Sequence, residues 1–137
     1  MERNKYLEIL KQNVFNENLI KHCLAVEAIM RDLGLHFNED GEKWGLAGLL
    51  HDIDYEKTKE SPEKHGLESV EILREYMLDI DILDAIKGHN EILGFEFNNT
   101  AEPELTIIGC DAAAVCVAFI PFPLWSYQVS IYPFPDP

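Results

Sequence analysis

Four of the five histidines in this chain, together with two aspartates, occur in the order His22, His51-Asp52, His65, His89 and Asp111. Imidazole nitrogens and carboxylate oxygens are the usual ligands of hydrolytic transition-metal centres. The doublet His51-Asp52 is the most informative of these, because it ends the apolar run Trp44-Gly-Leu-Ala-Gly-Leu-Leu50 and precedes Ile53-Asp54-Tyr55. An imidazole and a carboxylate would thus be delivered side by side to the end of a buried helix. Asp111 sits between Cys110 and Ala112-Ala113-Ala114-Val115. A carboxylate in such surroundings is costly to bury unless it is paired or metal-bound. A His-Asp pair alone carries little information; the ordered set of six ligand-type residues carries more.

The helices that would position these residues are legible from apolar spacing. Residues 4–13 predict a short amphipathic helix with Tyr6, Leu7, Ile9 and Leu10 on its apolar side. Leu19, Cys23, Val26, Met30 and Leu33 follow the helical period over 17–33, with His22 one step from that stripe and Gly34 as a stop. Residues 40–51, apolar nearly all round, predict a central buried helix. Ser61-Pro62 predicts the start of a helix reaching about Met77, with His65 in its first turn and Ile72, Leu73, Tyr76 and Met77 as its core stripe. Asp79 or Asp81 would cap a shorter helix to Gly88, placing His89 at its C-terminal end. A last helix is expected over 102–119 with Asp111 in its middle, and the single strand-like alternation is Tyr127–Tyr132. The six candidates come from different helices or helix ends, so tertiary packing alone can assemble them. Each also has a plainer reading: His51 as a helix-end imidazole with Asp52 solvated, His22 as a core histidine, His65 and His89 as surface or loop residues, and Asp111 as a mid-helix surface acid.

This order of residues resembles the HD superfamily of metal-dependent phosphohydrolases, most of all its small stand-alone predicted hydrolases. Ala47-Gly-Leu-Leu-His-Asp-Ile-Asp-Tyr55, Pro62-Glu-Lys-His-Gly-Leu67 and Ala85-Ile-Lys-Gly-His-Asn90 carry the likeness, which covers about residues 15–115. It implies an all-α bundle of about five to seven helices. It also implies one metal site made by His22, His51, Asp52 and Asp111. A second ion would be held by His65 and His89, with Asp52 bridging both. Such a centre would hydrolyse a phosphoester of a small molecule or nucleotide. The donor set accepts one or two divalent ions of Mn, Fe, Zn, Co or Ni. Two alternatives remain: a di-iron oxygenase on the same scaffold, and a ligand- or metal-sensing module without turnover. Relatives with a His-Asp-Ile-Gly-Lys sequence have Gly and Lys where this chain has Asp54 and Tyr55. Lys57 is the substitute basic residue, placed with Asp52 in the catalytic set. It lies in the charged run Glu56–Glu60, which reads as a solvated loop, and in which Glu56, or Asp54 just before it, could take a proton. Lys64, Arg74 and Lys87 are further candidates for substrate contact with a surface role as the default, and His36 is assigned none.

Composition narrows the partners. The chain has 137 residues and a net charge of −14, from 25 acidic against 11 basic side chains. No basic footprint for duplex nucleic acid is visible, and a small phosphorylated substrate suits such a surface better. Cys23, Cys110 and Cys116 lack metal-type spacing and read as reduced residues of a cytoplasmic protein. No apolar run reaches the ~18–20 residues needed to span a bilayer. One domain is expected over 1–119, followed by an irregular tail over 120–137 that holds five of the seven prolines and the aromatics Phe122, Trp125, Tyr127, Tyr132 and Phe134. That tail is expected to pack against a second copy, giving a homodimer, in preference to its own bundle. A third reading makes it an altered version of a longer C-terminus.

Overall fold

The computed structural model describes residues 2–90. They are all-α: α1 (Glu2–Asn13), α2 (Glu17–His36), α3 (Gly41–Leu50), the single turn α4 (Tyr55–Thr58), α5 (Leu67–Leu73) and α6 (Ile80–Gly88). Asp111, the helix expected over 102–119, the boundary at 119 and the aromatic tail lie outside the described residues.

The central helix is α3, in contact with α1, α2 and α6. Seven of its ten residues are buried, which is why its sequence shows almost no polar face. Asp40 caps its start by accepting from Glu42 N and Lys43 N at 3.0 and 3.2 Å. Around it, Leu10 from α1 and Val14 just after it, Cys23, Val26 and Met30 from α2, and Ala85 and Ile86 from α6 close one core. A buried carboxylate ties α1 to α2. Glu27, 2% exposed, accepts from Arg3 Nε and Nη2 at 2.6 and 2.8 Å and from Arg31 at 3.2 Å. The pairing offsets the cost of burying its charge.

Two helix ends differ from expectation. Gly34 does not stop α2. The helix continues to His36 and ends where Asn38, at φ 59°, takes the left-handed conformation. Glu39 N then bonds Gly34 O at 2.8 Å and Asn38 N bonds Leu35 O at 3.1 Å, the paired carbonyl satisfaction of a Schellman motif. The second difference is the expected helix from Ser61 to Met77, which is broken. Pro62–Lys64 form one 3-10 turn, His65 is extended, Gly66 stands at φ 81°, and only then does α5 begin. His65 therefore precedes the helix and does not sit in its first turn. At the far end Met77 adopts φ 54° and is 91% exposed, so it leaves the core stripe that Leu73 completes. The charged run is likewise no simple loop, since it begins within α4 and its Thr58 is buried.

Gly48 sets how closely α3 approaches α2. A Cβ there would lie 3.0 Å from both Val26 O and Met30 Cγ and 3.1 Å from Glu27 N. Backbone cannot give way as a flexible side chain can. Gly48→Ala should therefore lower stability by about 1–3 kcal/mol, the usual cost of overpacking, read by denaturant unfolding. An unchanged midpoint would show that the two helices are free to separate.

Candidate metal centre

His51 and His89 occupy equivalent places, each the C-cap of a helix, α3 and α6. The last carbonyls of a helix lack intrahelical partners, and both rings use one. His51 Nδ1 bonds Gly48 O at 2.7 Å, and His89 Nδ1 bonds Ile86 O. A carbonyl only accepts, so both Nδ1 atoms carry the proton and both Nε2 atoms are left as lone-pair donors. His65 has its Nδ1 proton fixed by another route, because Nδ1 donates to the Asp54 carboxylate at 2.8 Å. His22 comes from the buried face of α2.

The four Nε2 atoms converge on Asp52, two on each oxygen. Asp52 Oδ2 lies 3.3 Å from His51 Nε2 and 3.6 Å from His22 Nε2, which are 3.3 Å from one another. Asp52 Oδ1 lies 3.2 Å from His65 Nε2 and 3.7 Å from His89 Nε2, which are 2.9 Å apart. Ligand atoms about 2.1 Å from one cation are separated by roughly 3.0 Å at octahedral angles and roughly 3.4 Å at tetrahedral ones. Both triangles, His22–His51–Asp52 and Asp52–His65–His89, have edges close to this range. Lone pairs pointed at lone pairs and at a carboxylate repel unless positive charge lies between them. The donor set thus fits divalent cations, and each of the three rings with an assigned Nδ1–H has the outer partner that metal-bound histidines require.

The electrostatics agree. Burial alone would raise the Asp52 pKa, but the surrounding imidazoles, His51 foremost, hold it well below the usual carboxylate range. Burial also disfavours a charged His65 ring, yet its bonds to Asp52 and Asp54 outweigh that and raise its pKa to about 9. In the metal-free protein a proton on His65 therefore does part of a cation's work. His65 is the most open of the five side chains, at 18% exposure against 9% or less for the others. The cluster is therefore most open on the His65 side. Tyr55, 47% exposed, stands edge-on to that ring with centroids 6.0 Å apart.

Five of the six expected ligand residues are thus brought together, the sixth being Asp111 outside the described residues. Lys57 is not in the cluster; its amine donates to Asn13 Oδ1 of α1 at 3.3 Å. Glu56 is occupied too, accepting from Phe15 N and Asn16 N at 2.9 and 2.7 Å and so joining α4 to the α1–α2 turn. Arg74 is exposed and paired with Glu71 at 2.6 Å. Asn90 has a part that spacing did not suggest. Its amide donates to Pro62 O at 2.8 Å and His65 O at 2.9 Å, clamping the His65 segment to the end of α6. Its position directly after His89 is the signal that was available.

The HD domain family model matches residues 19–112. An uncharacterized protein of Methanocaldococcus jannaschii is 42% identical over 84 residues, covering 58% of this chain and 48% of that protein. Ribonuclease Y of Nitratidesulfovibrio vulgaris is 34% identical over 77 residues, 56% of this chain and 15% of the ribonuclease. Ribonuclease Y of Mycoplasma mycoides is 31% identical over 77 residues, 56% of this chain and 18% of that protein. This chain therefore spans about half the length of the first relative and less than a fifth of the other two. No solved structure matches.

Proposed function

The chain belongs to the HD domain family, the superfamily of metal-dependent phosphohydrolases, and on that premise we propose that it hydrolyses a phosphoester of a small molecule, nucleotides being the leading class. The observation that carries this reading is the division of four Nε2 atoms between the two oxygens of one buried carboxylate. His22, His51 and Asp52 would hold one divalent ion, with Asp111 as a further ligand, and Asp52, His65 and His89 a second. Such ions, when bound, lower the pKa of a water and polarise phosphoryl oxygens.

The protein's own part is positioning. Asp52 bridges the two triangles and fixes their spacing. The bonds from His51 and His89 to the carbonyls of their own helices hold both rings in the ligating tautomer. Burial of four of the five side chains keeps bulk water off the ligands, while the partly open His65 side admits substrate. Lys57 would share the charge of the phosphoryl group, for which its amine must exchange Asn13 for a substrate oxygen. That exposed hydrogen bond is worth only about 1 kcal/mol.

The name Ribonuclease Y among the relatives brings phosphodiesters within the class to be tried. A net charge of −14 favours small substrates over long RNA. The test is a panel of nucleotides, sugar phosphates, cyclic and dinucleotide diesters and a short RNA, run on protein of measured metal content. Metal-dependent release of phosphate or nucleotide from small substrates is expected. Full metal occupancy with no turnover across the panel would replace this reading with a non-catalytic binding module.

A further inference from the structure

Asp54 is fully buried and accepts three hydrogen bonds. Oδ1 takes the Nδ1–H of His65 at 2.8 Å, and Oδ2 takes Gly66 N and Ser69 N at 2.9 Å each. The last two are N–H groups at the start of α5, whose own N-cap residue, Gly66, has no side chain to offer. One carboxylate from the turn after the doublet therefore caps α5 and orients His65 together. Gly66 permits this because it adopts φ 81°, and a Cβ there would meet Ile86 O and Lys87 O at 3.2 Å.

We propose that Asp54 is the positioning residue of the second metal site: by accepting from Nδ1 it fixes the Nδ1–H form of His65, so that Nε2, aimed at Asp52, is the nitrogen that gives up its proton to take a metal. This rests on the two-ion reading of the centre. The chemistry turns on Asp54 being an acceptor at both oxygens. An asparagine has one acceptor oxygen and one amide that only donates. If its oxygen faces Gly66 N and Ser69 N, two backbone bonds survive, but the amide then points at His65 Nδ1. The ring must shift its proton to Nε2, the atom that would bind metal. The opposite orientation keeps the ring but leaves two buried backbone N–H groups facing an NH₂. Losing two such bonds is worse than losing one, so the first arrangement wins.

The test is Asp54→Asn, read by manganese stoichiometry and by the electron paramagnetic resonance signature of a coupled pair. Asp54→Asn should fold, bind one ion where the wild type binds two, and lose the coupled signal, as His65→Ala should. Ile9→Val, a core change distant in sequence from the centre, should lower stability and keep both ions. Two coupled ions in folded Asp54→Asn would reduce Asp54 to a helix cap and overturn the proposal. A wild type that binds at most one ion, with His65→Ala unchanged, would overturn the two-ion reading itself, a distinguishable result. If Asp54→Asn does not fold, nitrogen-15 histidine spectra of the zinc-loaded wild type decide. Protonated Nδ1 and metal-bound Nε2 at His65 support the proposal, and the reverse assignment refutes it.

Discussion

Asp52→Ala should leave a folded protein with essentially no bound transition metal and with turnover reduced by at least about 10³-fold, equivalent to roughly 4 kcal/mol of transition-state stabilisation. The reason is its place between the two triangles. Each oxygen faces a pair of Nε2 atoms at 3.2–3.7 Å, so removing the side chain takes a ligand from both ions at once. Four imidazoles would remain, with Asp111 as the one proposed anionic ligand left for two dications. Single histidine changes should be milder: His65→Ala or His89→Ala costs one triangle a ligand and spares the other. Metal content by elemental analysis and hydrolysis of the best panel substrate check both statements. Asp52→Ala protein that keeps two ions would show that the carboxylate is not the bridge.

Removing the metal with a chelator should lower the melting temperature by roughly 12–16 °C. Metal present at about 1,000 times its dissociation constant stabilises the folded state by ~4 kcal/mol, and a domain of this size shifts by ~3–4 °C per kcal/mol. The loss should grow with pH. The folded pKa of His65, about 9, lies above its ordinary value of 6.5. The stabilisation its proton gives the metal-free protein is complete below pH 6.5 and disappears as pH rises through 9. Calorimetric scans of chelated and metal-loaded protein at pH 6.5 and pH 9 measure both effects. A melting temperature indifferent to chelator at either pH would mean that no metal supports the fold.

Most of what positions the cluster could be read from residue types and spacing. The apolar periods of α1, α2 and α3 and the Asp79 start of α6 are local signals, and the structure follows them. The ordered histidines and Asp52 pointed to a shared centre because few other arrangements use so many imidazoles with buried acid. What could not be read was set by contacts between distant residues. The break at His65-Gly66 depends on Asp54 eleven and twelve positions earlier. No local pattern separates that break from the helix Ser61-Pro62 predicts. Gly34 resembled a stop because glycine ends many helices, but it serves the close approach to Gly41 and Trp44. Met77 matched the apolar period of α5 only if the helix continued through it, and it does not. Lys57 is close to Asp52 in sequence, but the turn of α4 carries its amine to Asn13, a contact made in space that no local pattern announces.

The central claim is that the buried Asp52 and its four histidines hold transition metal. Elemental analysis of protein purified without chelator tests it most directly. The account predicts about one to two equivalents of Mn, Fe, Co, Ni or Zn per chain, falling to near zero in Asp52→Ala. Metal-free wild-type protein whose melting temperature does not move when each of these five ions is added would contradict it.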